Sequence, residues 1–224
     1  MCAQSSTVAE GRMSISKIPD IVIGRLPLYL RALTQMALES KEITSSQELG
    51  GRLGISSAQI RKDLSQFGEF GKQGTGYNIS FLSDQLRRIL HVDRVWDVVL
   101  VGAGDLGRAV ANYGGFVDRG FRIVAVFDNN PQKIGQVVGK IKVQNIAKLK
   151  QEIDAKNVDV AMIAVPAGEA QDISERLVEA GIRAILCYAP TSLSLPEHVR
   201  IEYTDPVLHL QHMTYYFSDV IQDT

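Results

Sequence analysis

Cysteine is scarce in this chain, and long uncharged apolar runs are missing from it. Two cysteines, Cys2 and Cys187, cannot build a disulfide framework, so we expect a reducing cytoplasm, with Cys187 a small packed side chain rather than a redox thiol. No run of about eighteen uncharged apolar residues occurs, which argues against a membrane span. Residues 1–14 have neither a basic start nor an apolar block, so we expect a disordered polar tail and no secretory signal.

A strong charge of one sign is also missing, because the formal net charge is −1 over 224 residues. The charge is nevertheless uneven. Residues 1–80 hold nine Lys and Arg against seven Asp and Glu, whereas residues 81–224 hold fifteen against eighteen. The N-terminal excess of positive charge has the sign expected of a part that contacts a polyanion. The length permits one large domain or two small ones.

The segment that ends at Asp128 has the order of a dinucleotide-binding βαβ unit. An apolar run from Trp96 leads into a Gly-x-Gly-x-x-Gly turn, and a helical stretch and a second apolar run then end at the acid. In that turn Gly102 permits the tight bend, Gly104 lets the backbone approach a pyrophosphate, and Gly107 lets the helix pack on the sheet. Strand, turn, helix, strand and acid together predict dinucleotide binding, although the glycines alone would be a weak signal.

The predicted role of Asp128 is to accept hydrogen bonds from the adenosine ribose, which favours NAD(H) over NADP(H). Lys133 could offset part of the repulsion of a 2′-phosphate. Further alternation then predicts helices at 146–156 and 169–180 and strands at 158–165, 183–187 and 199–203, a pattern typical of a parallel sheet covered on both faces. The expected contacts to the dinucleotide are Gly102, Ala103, Gly104, Asp105, Leu106, Gly107, Asp128, Lys133, Val165 and Pro166, the last two because they follow a strand at its carboxyl end.

The N-terminal part carries a helix-turn-helix pattern. We expect a long helix from about Pro27, after a shorter turn, and then two short helices that begin with capping boxes at Ser45 and Ser56 and are joined by a tight turn at Gly54-Ile55. A further helix, capped by Ser83, is expected from Asp84 to about His91.

The second short helix has one apolar and one polar face. Ile60, Leu64 and Phe67 should face the core, and the opposite face offers donors with little bulk, which suits a helix in the major groove of DNA. A solvated surface would be the commoner meaning of an Arg-Lys pair, but residues 69–79 follow as two short strand-like pieces around glycines and resemble a hairpin wing. The expected contacts to DNA are Ser57, Ala58, Gln59, Arg61, Lys62, Ser65, Lys72, Thr75 and Tyr77.

One helix is left over at the C-terminus. Asp205-Pro206 provides an N-cap and a first-turn proline, and apolar and aromatic residues then occupy most sides of a helix from Val207 to Val220. A helix of this kind needs burial on several sides, which a position between domains or on a second subunit would supply.

The combination resembles the Rex family of bacterial redox-sensing repressors, over nearly the whole chain after the tail. The motifs that carry the resemblance are Arg25-Leu26-Pro27-Leu28-Tyr29-Leu30-Arg31, residues 59–68, residues 74–77, residues 101–107 and Asn112-Tyr113-Gly114-Gly115-Phe116. The resemblance implies an α/β chain with an N-terminal winged helix-turn-helix domain, a Rossmann-like parallel sheet domain and a domain-swapped C-terminal helix. The corresponding ranges are 15–82, 83–204 and 205–224, after a disordered tail at 1–14.

The resemblance further implies a homodimer that binds double-stranded palindromic operator DNA, senses NADH against NAD, and leaves the DNA when NADH binds. Tyr113 would then line the nicotinamide region and meet Asp205 from the exchanged helix, while Arg31 competes for that carboxylate. The simpler interpretation is that Asp205 only caps its helix, and one carboxylate can do both.

Two other functions fit parts of the sequence. An NAD-dependent dehydrogenase would need a proton donor and a substrate pocket, yet no tyrosine has a lysine four residues later, and His209 and His212 are more typical of packed residues at an interface. A CoA-binding or other nucleotide-binding module would leave the basic helix and the wing unexplained. We therefore expect no catalytic residue and no metal site.

Overall fold

The computed structural model describes residues 18–71 and 74–217, which form two compact units that meet in the chain between Asp93 and Arg94. The predicted tail at 1–14, Lys72, and the end of the last predicted helix lie outside the described residues. Among the helices of the described ranges, none is both long and apolar enough to cross a bilayer.

The first unit is a small helical domain with one two-stranded sheet. Its elements are α1 (Asp20–Leu38), β1 (Ile43–Thr44), α2 (Ser46–Leu53), α3 (Ser57–Ser65), β2 (Tyr77–Asn78) and α4 (Ile79–Ile89). The side chains that form its core are Leu26, Tyr29, Ala32, Leu33, Met36, Leu49, Ile60, Leu64, Ile79, Leu82 and Leu86.

The predicted helix-turn-helix is confirmed. The Oγ atoms of Ser45 and Ser56 each accept a hydrogen bond from the backbone N–H three residues later, at 3.1 and 3.2 Å, so both predicted caps are made. Gly54 ends α2 in the left-handed conformation, at φ 67°, which turns the chain sharply into α3.

The first helix begins earlier than the sequence pattern indicated. α1 runs unbroken from Asp20 through Pro27, although proline cannot donate to the carbonyl of Ile23. Val22 and Leu26 are buried on the same stripe as the residues after the proline, and Ile23 is exposed, so burial favours the longer helix while water can solvate the orphaned carbonyl.

The fourth helix and the domain boundary also differ from expectation. α4 is capped by Asn78, whose Oδ1 accepts from the N–H of Phe81 at 2.8 Å, and Ser83 lies buried inside the helix. Leu82 and Leu86 pack into the core that α1 lines, so α4 belongs to the first unit. The division therefore falls after Asp93 rather than at 82/83.

The expected hairpin wing is replaced by a different pairing. Tyr77 and Asn78 of β2 pair antiparallel with Thr44 and Ile43 of β1, which precedes α2 in the chain. Within the described part of the loop, residues 69–71 form no strand. The sequence pattern was misleading here because a strand of two residues carries too little periodicity to reveal its partner.

The second unit is an α/β domain around one seven-stranded sheet. Its elements are β3 (Trp96–Val101), α5 (Asp105–Asn112), β4 (Phe121–Asp128), β5 (Val137–Val138), β6 (Ile141–Asn145), α6 (Leu149–Lys156), β7 (Val160–Ile163), α7 (Ala167–Glu179), β8 (Ala184–Cys187), β9 (Arg200–Tyr203) and α8 (Pro206–Tyr215), with 3₁₀ turns at Gly114–Arg119 and Ile146–Lys148.

The strand order is β5-β6-β4-β3-β7-β8-β9, and every neighbouring pair is parallel except β5 with β6. Without β5 this is the Rossmann order, in which the chain leaves the central strand β3 first to one side and then to the other. The predicted parallel sheet is confirmed. β5 and β6 were not expected from the sequence, because they are short and half exposed.

The last helix is confirmed as far as the structure describes it, and its apolar side chains are exposed within this chain. More than half of the residue surface is accessible for Val207, Leu208, Leu210, Met213, Tyr215, Tyr216 and Phe217. Cys187, in contrast, is buried at the end of β8, and burial raises the pKa of its thiol, as expected of a packed side chain.

Candidate functional site

The glycine-rich turn between β3 and α5 has the geometry that phosphate binding needs. Gly102 has φ 102°, and a Cβ there would meet the carbonyl oxygen of Ala164 at 2.2 Å. A Cβ on Gly107 would meet the carbonyl oxygen of Gly102 at 1.9 Å, so α5 packs directly on the turn. At Gly104, in contrast, an added Cβ meets no described atom within 4 Å. The open space at Gly104 and the N-terminus of α5 therefore leave room for a phosphate.

Asp128 closes this turn from the neighbouring strand. The carboxylate is 5% exposed; its Oδ2 accepts from the N–H of Ala103 at 2.8 Å and from Lys133 Nζ at 3.1 Å, and its Oδ1 accepts from the N–H of Asn130 at 2.8 Å. Burial would raise the pKa of this carboxyl, but the two N–H groups and Lys133 lower it below its usual value. The acid is thus ionised and holds the glycine turn and the loop after β4 together.

Arg108, which the sequence analysis missed, completes that connection. Its Nε donates to the carbonyl of Ala103 at 3.2 Å, and its Nη2 donates to the side chain of Gln136 in the loop after β4. The Ala103 peptide is therefore held on both sides, through its N–H by Asp128 and through its carbonyl by Arg108. The helical spacing alone gave no reason to single out this arginine.

A cavity of about 340 Å³ opens at the carboxyl ends of the strands beside this turn. Of the predicted residues it brings together Gly102, Gly104, Asp128, Lys133, Val165 and Pro166. The sequence analysis did not assign Ile146, Glu169 and Ile173, which also line it. Ile146 lies in the 3₁₀ turn after β6, whereas Glu169 and Ile173 lie on α7, so only the rule that loops after strands meet at one edge could have indicated them.

The other predicted cofactor residues are not in the described lining of the cavity: Ala103, Asp105, Leu106, Gly107 and Tyr113. Ala103 is buried behind the turn, while Asp105 and Leu106 are exposed on the first turn of α5. Tyr113 follows α5, is 49% exposed, and packs edge-on against Phe116 with the ring centres 5.2 Å apart.

In the first unit, α3 presents the predicted polar face to solvent. Ala58, Arg61, Lys62 and Ser65 are exposed, whereas Ser57 and Gln59 are half-buried. Ile60 and Leu64 on the opposite side are buried, as predicted. The helix therefore offers small and basic side chains outward while its apolar side is fixed in the core.

A groove of about 880 Å³ runs along α3 beside the loop that precedes β2. It is lined by the predicted residues Arg61, Ser65 and Tyr77, and the Nη1 of Arg61 donates to the Oγ of Ser46 at 2.9 Å. Thr75 is exposed in the same loop but is not in the described lining, and Lys72 lies outside the described residues.

The three predicted switch residues lie on different elements. Arg31 is exposed on α1, Tyr113 follows α5, and Asp205 caps α8, where its Oδ1 accepts from the N–H of Val207 at 2.9 Å. The simpler role of Asp205 as a helix cap is thus made in the structure.

Two family models match the sequence. Residues 17–65 match one described as the N-terminus of a putative DNA-binding protein, and residues 93–191 match one described as a CoA-binding domain. The two matches fall on the two compact units.

Similar solved structures contain the ligands that the sequence analysis predicted. The crystal structure of RSP in complex with β-NAD+ and operator DNA superposes with a TM-score of 0.85 at 34% identity, covering 92% of this chain and 94% of that one. RSP in complex with β-NADH gives a TM-score of 0.84 at 32% identity, covering 92% and 97%.

Curated relatives match over most of their length. The redox-sensing transcriptional repressor Rex of Chloroflexus aggregans is 52% identical over 89% of this chain and 94% of its own, and that of Streptomyces avermitilis is 44% identical over 89% and 79%. At this identity and coverage, the chain belongs to the Rex family of redox-sensing transcriptional repressors.

Proposed function

We propose that this protein is a repressor that binds palindromic operator DNA as a homodimer and is released from it by NADH. The observation that carries the proposal is the presence, in one chain, of an exposed basic helix-turn-helix face and a glycine-rich nucleotide cleft. The structural neighbour with both β-NAD+ and operator DNA supports the pairing of these ligands.

The DNA half of the proposal rests on α3. Arg61 and Lys62 can donate to phosphates or base edges, and Ser65 and Ala58 leave space for the groove wall. Two such helices related by a two-fold axis would read half-sites about 34 Å apart, or a multiple of that distance. The exposed apolar residues of α8 supply a surface that dimer formation through exchange of this helix would cover.

The cofactor half rests on the cleft of the second unit. The N-terminus of α5 favours a pyrophosphate, and Val165 and Pro166 line the same cavity. Asp128 accepts three hydrogen bonds in the structure, and a carboxylate has about four acceptor positions. One position remains on Oδ1 for a ribose hydroxyl, so Asp128 both holds the turn and selects NAD(H).

Release by NADH requires a difference at the nicotinamide, because NADH and NAD+ share the groups that the glycine turn and Asp128 contact. We propose that Tyr113 lines the nicotinamide region and that Asp205 pairs either with Tyr113 or with Arg31. A partly buried carboxylate without a partner is costly, so two mutually exclusive partners give a two-position switch. The cap to Val207 uses only Oδ1 of Asp205 and leaves Oδ2 for either partner.

The dehydrogenase alternative receives no support from the relatives, which are named repressors. We propose that the protein is not an enzyme and acts in the cytoplasm, where operator DNA and the NADH pool are accessible. His209 and His212 lie on α8 with its exposed apolar residues, away from any described wall of the nucleotide cleft.

The deciding experiment measures binding of the full chain to a palindromic promoter fragment with NADH, with NAD+ and with neither. We expect a retained complex without cofactor and with NAD+, and dissociation with NADH. An NADH-insensitive complex would remove the redox switch, absence of any complex would remove operator binding, and turnover of a small carbonyl compound with NADH would restore the dehydrogenase.

A further inference from the structure

A buried carboxylate lies beneath the exposed face of α3. Asp63 is 0% exposed and accepts four hydrogen bonds: from Arg25 Nε at 2.6 Å, from Arg25 Nη2 at 2.8 Å, from the Tyr29 hydroxyl at 2.6 Å and from Gln59 Nε2 at 2.7 Å. Arg25 and Tyr29 belong to α1, so the carboxylate ties the two helices together. Gln59 is the one member of this cluster on the side that we assign to DNA.

The carboxylate is ionised. Burial would raise the pKa of Asp63, but Arg25, Tyr29 and Gln59 lower it below its ordinary value. An ionised carboxylate only accepts hydrogen bonds, so the group of the Gln59 amide that faces Asp63 must be the NH2. The orientation of this amide is therefore set by charge, whereas an unconstrained glutamine could present either end.

The fixed amide keeps one N–H and its carbonyl oxygen for another partner. Gln59 is the third residue of α3, and the N-terminal residues of a reading helix are those that reach base edges in the major groove. Adenine shows an acceptor at N7 and a donor at N6, which a glutamine amide matches with two bonds. Guanine shows two acceptors there, which the Oε1 of Gln59 cannot match.

We propose that Asp63 orients the Gln59 amide so that Gln59 reads an adenine in each operator half-site. The inference rests on the proposed operator binding and adds the residue that decides one base of the sequence. Asp63 is a positioning residue, since it is buried and reaches the DNA only through Gln59.

The test selects DNA from a library of duplexes with a randomised palindromic core, using the full chain without cofactor. We expect wild type to select an adenine at one position of each half-site. In Gln59→Ala the preference at that position falls about tenfold, which corresponds to about 1.4 kcal/mol and lies within the usual range for one bidentate base contact. Preferences at the other positions stay unchanged.

Asp63→Asn tests the positioning step. If its carbonyl stays with Arg25 Nε and the Tyr29 hydroxyl, its NH2 faces Gln59, whose amide must then reverse and offer its NH2 outward. We expect loss of the same adenine preference, with the other positions retained. Glu39→Gln is the matched control, because it breaks the exposed two-bond pair with Arg52 in the same unit, at 2.7 and 2.5 Å, and should change no preference.

Three results would overturn the inference. The first is an adenine preference that survives in Gln59→Ala, and the second is that the position whose preference Gln59→Ala loses is one at which wild type selects a base other than adenine. The third is a folded Asp63→Asn that keeps wild-type preferences. Should Asp63→Asn fail to fold, Gln59→Ala decides alone, since it keeps the bonds from Arg25 and Tyr29. A wild type that enriches no sequence would instead refute operator binding itself, and this inference with it.

Discussion

Asparagine at position 128 should weaken binding of NADH and NAD+ by the same factor. The carboxylate of Asp128 accepts on one oxygen from Ala103 and on the other from Asn130, whereas an asparagine side chain has only one oxygen. One of the two N–H groups would therefore face an NH2 and lose its partner, and Lys133 would lose its counter-charge.

The magnitude follows from that loss. A buried N–H without an acceptor costs about 1–3 kcal/mol, which corresponds to about fivefold to 150-fold in a binding constant when the cofactor needs the turn in its closed form. Because we assign Asp128 to the adenosine side, which NADH and NAD+ share, the loss should be equal for the two. NADPH should lose less than NADH, since the repulsion of its 2′-phosphate disappears together with the turn contacts.

Titration calorimetry of the full chain with each dinucleotide measures these changes. Asp159→Asn is the control, because it removes the negative charge from an exposed pair with Arg183 outside the described cleft lining and should leave all affinities unchanged. Unchanged NADH affinity in Asp128→Asn would refute the role of the carboxylate in holding the turn. Losses that differ by more than about threefold between NADH and NAD+ would place its effect at the nicotinamide instead.

Three further outcomes are expected. Lys62→Glu should abolish retention of operator DNA in a gel shift at moderate salt while sedimentation shows an unchanged dimer, and a retained shift would mean that the wrong face of α3 was assigned. Asp205→Ala should lower the free energy of unfolding by about 1 kcal/mol through the lost helix cap, and it should also raise the NADH concentration needed for DNA release. Release at the same NADH concentration as wild type would mean that Asp205 is only a helix cap. Because the pKa of Asp63 is lowered in the folded chain, the contribution of its carboxylate to stability is present above about pH 4 and is lost as the pH falls further. The melting temperatures of wild type and Asp63→Asn should therefore converge in acid. A constant difference between the two melting temperatures would contradict this.

The elements that the sequence predicted well are those whose signals are local. The strand before Gly102, the helix that begins in the glycine turn and the two serine caps depend on neighbours within a few residues, and each was found where the pattern indicated. The long parallel strands were found for the same reason, since a continuous apolar run marks a strand that is buried on both faces.

The elements that differed are those that tertiary contacts decide. Proline favours a helix start, but burial of Val22 and Leu26 extends α1 toward the N-terminus, so that it begins at Asp20 and not near Pro27. The choice of Asn78 over Ser83 as a cap follows from the pairing of β2 with β1, which lies far away in the sequence. In the site, the position of Asp128 at the end of the second strand could be expected from the sequence, and its ribose role stays a prediction. The hydrogen bonds that its two oxygens accept from Ala103 and Asn130 could only be found in the folded chain.

The unequal surroundings of Gly102, Gly104 and Gly107 predict different phenotypes for mutant alleles. A methyl group at Gly102 or Gly107 would collide with backbone, so such alleles should yield unfolded chains and a derepressed cell. In Gly104→Ala the added methyl group meets open space, and the backbone has an ordinary φ of −74°, so the chain should fold and bind operator DNA. The methyl group would nevertheless occupy the space that we assign to the pyrophosphate. Under the proposed function, such an allele would keep its target genes silent whatever the redox state.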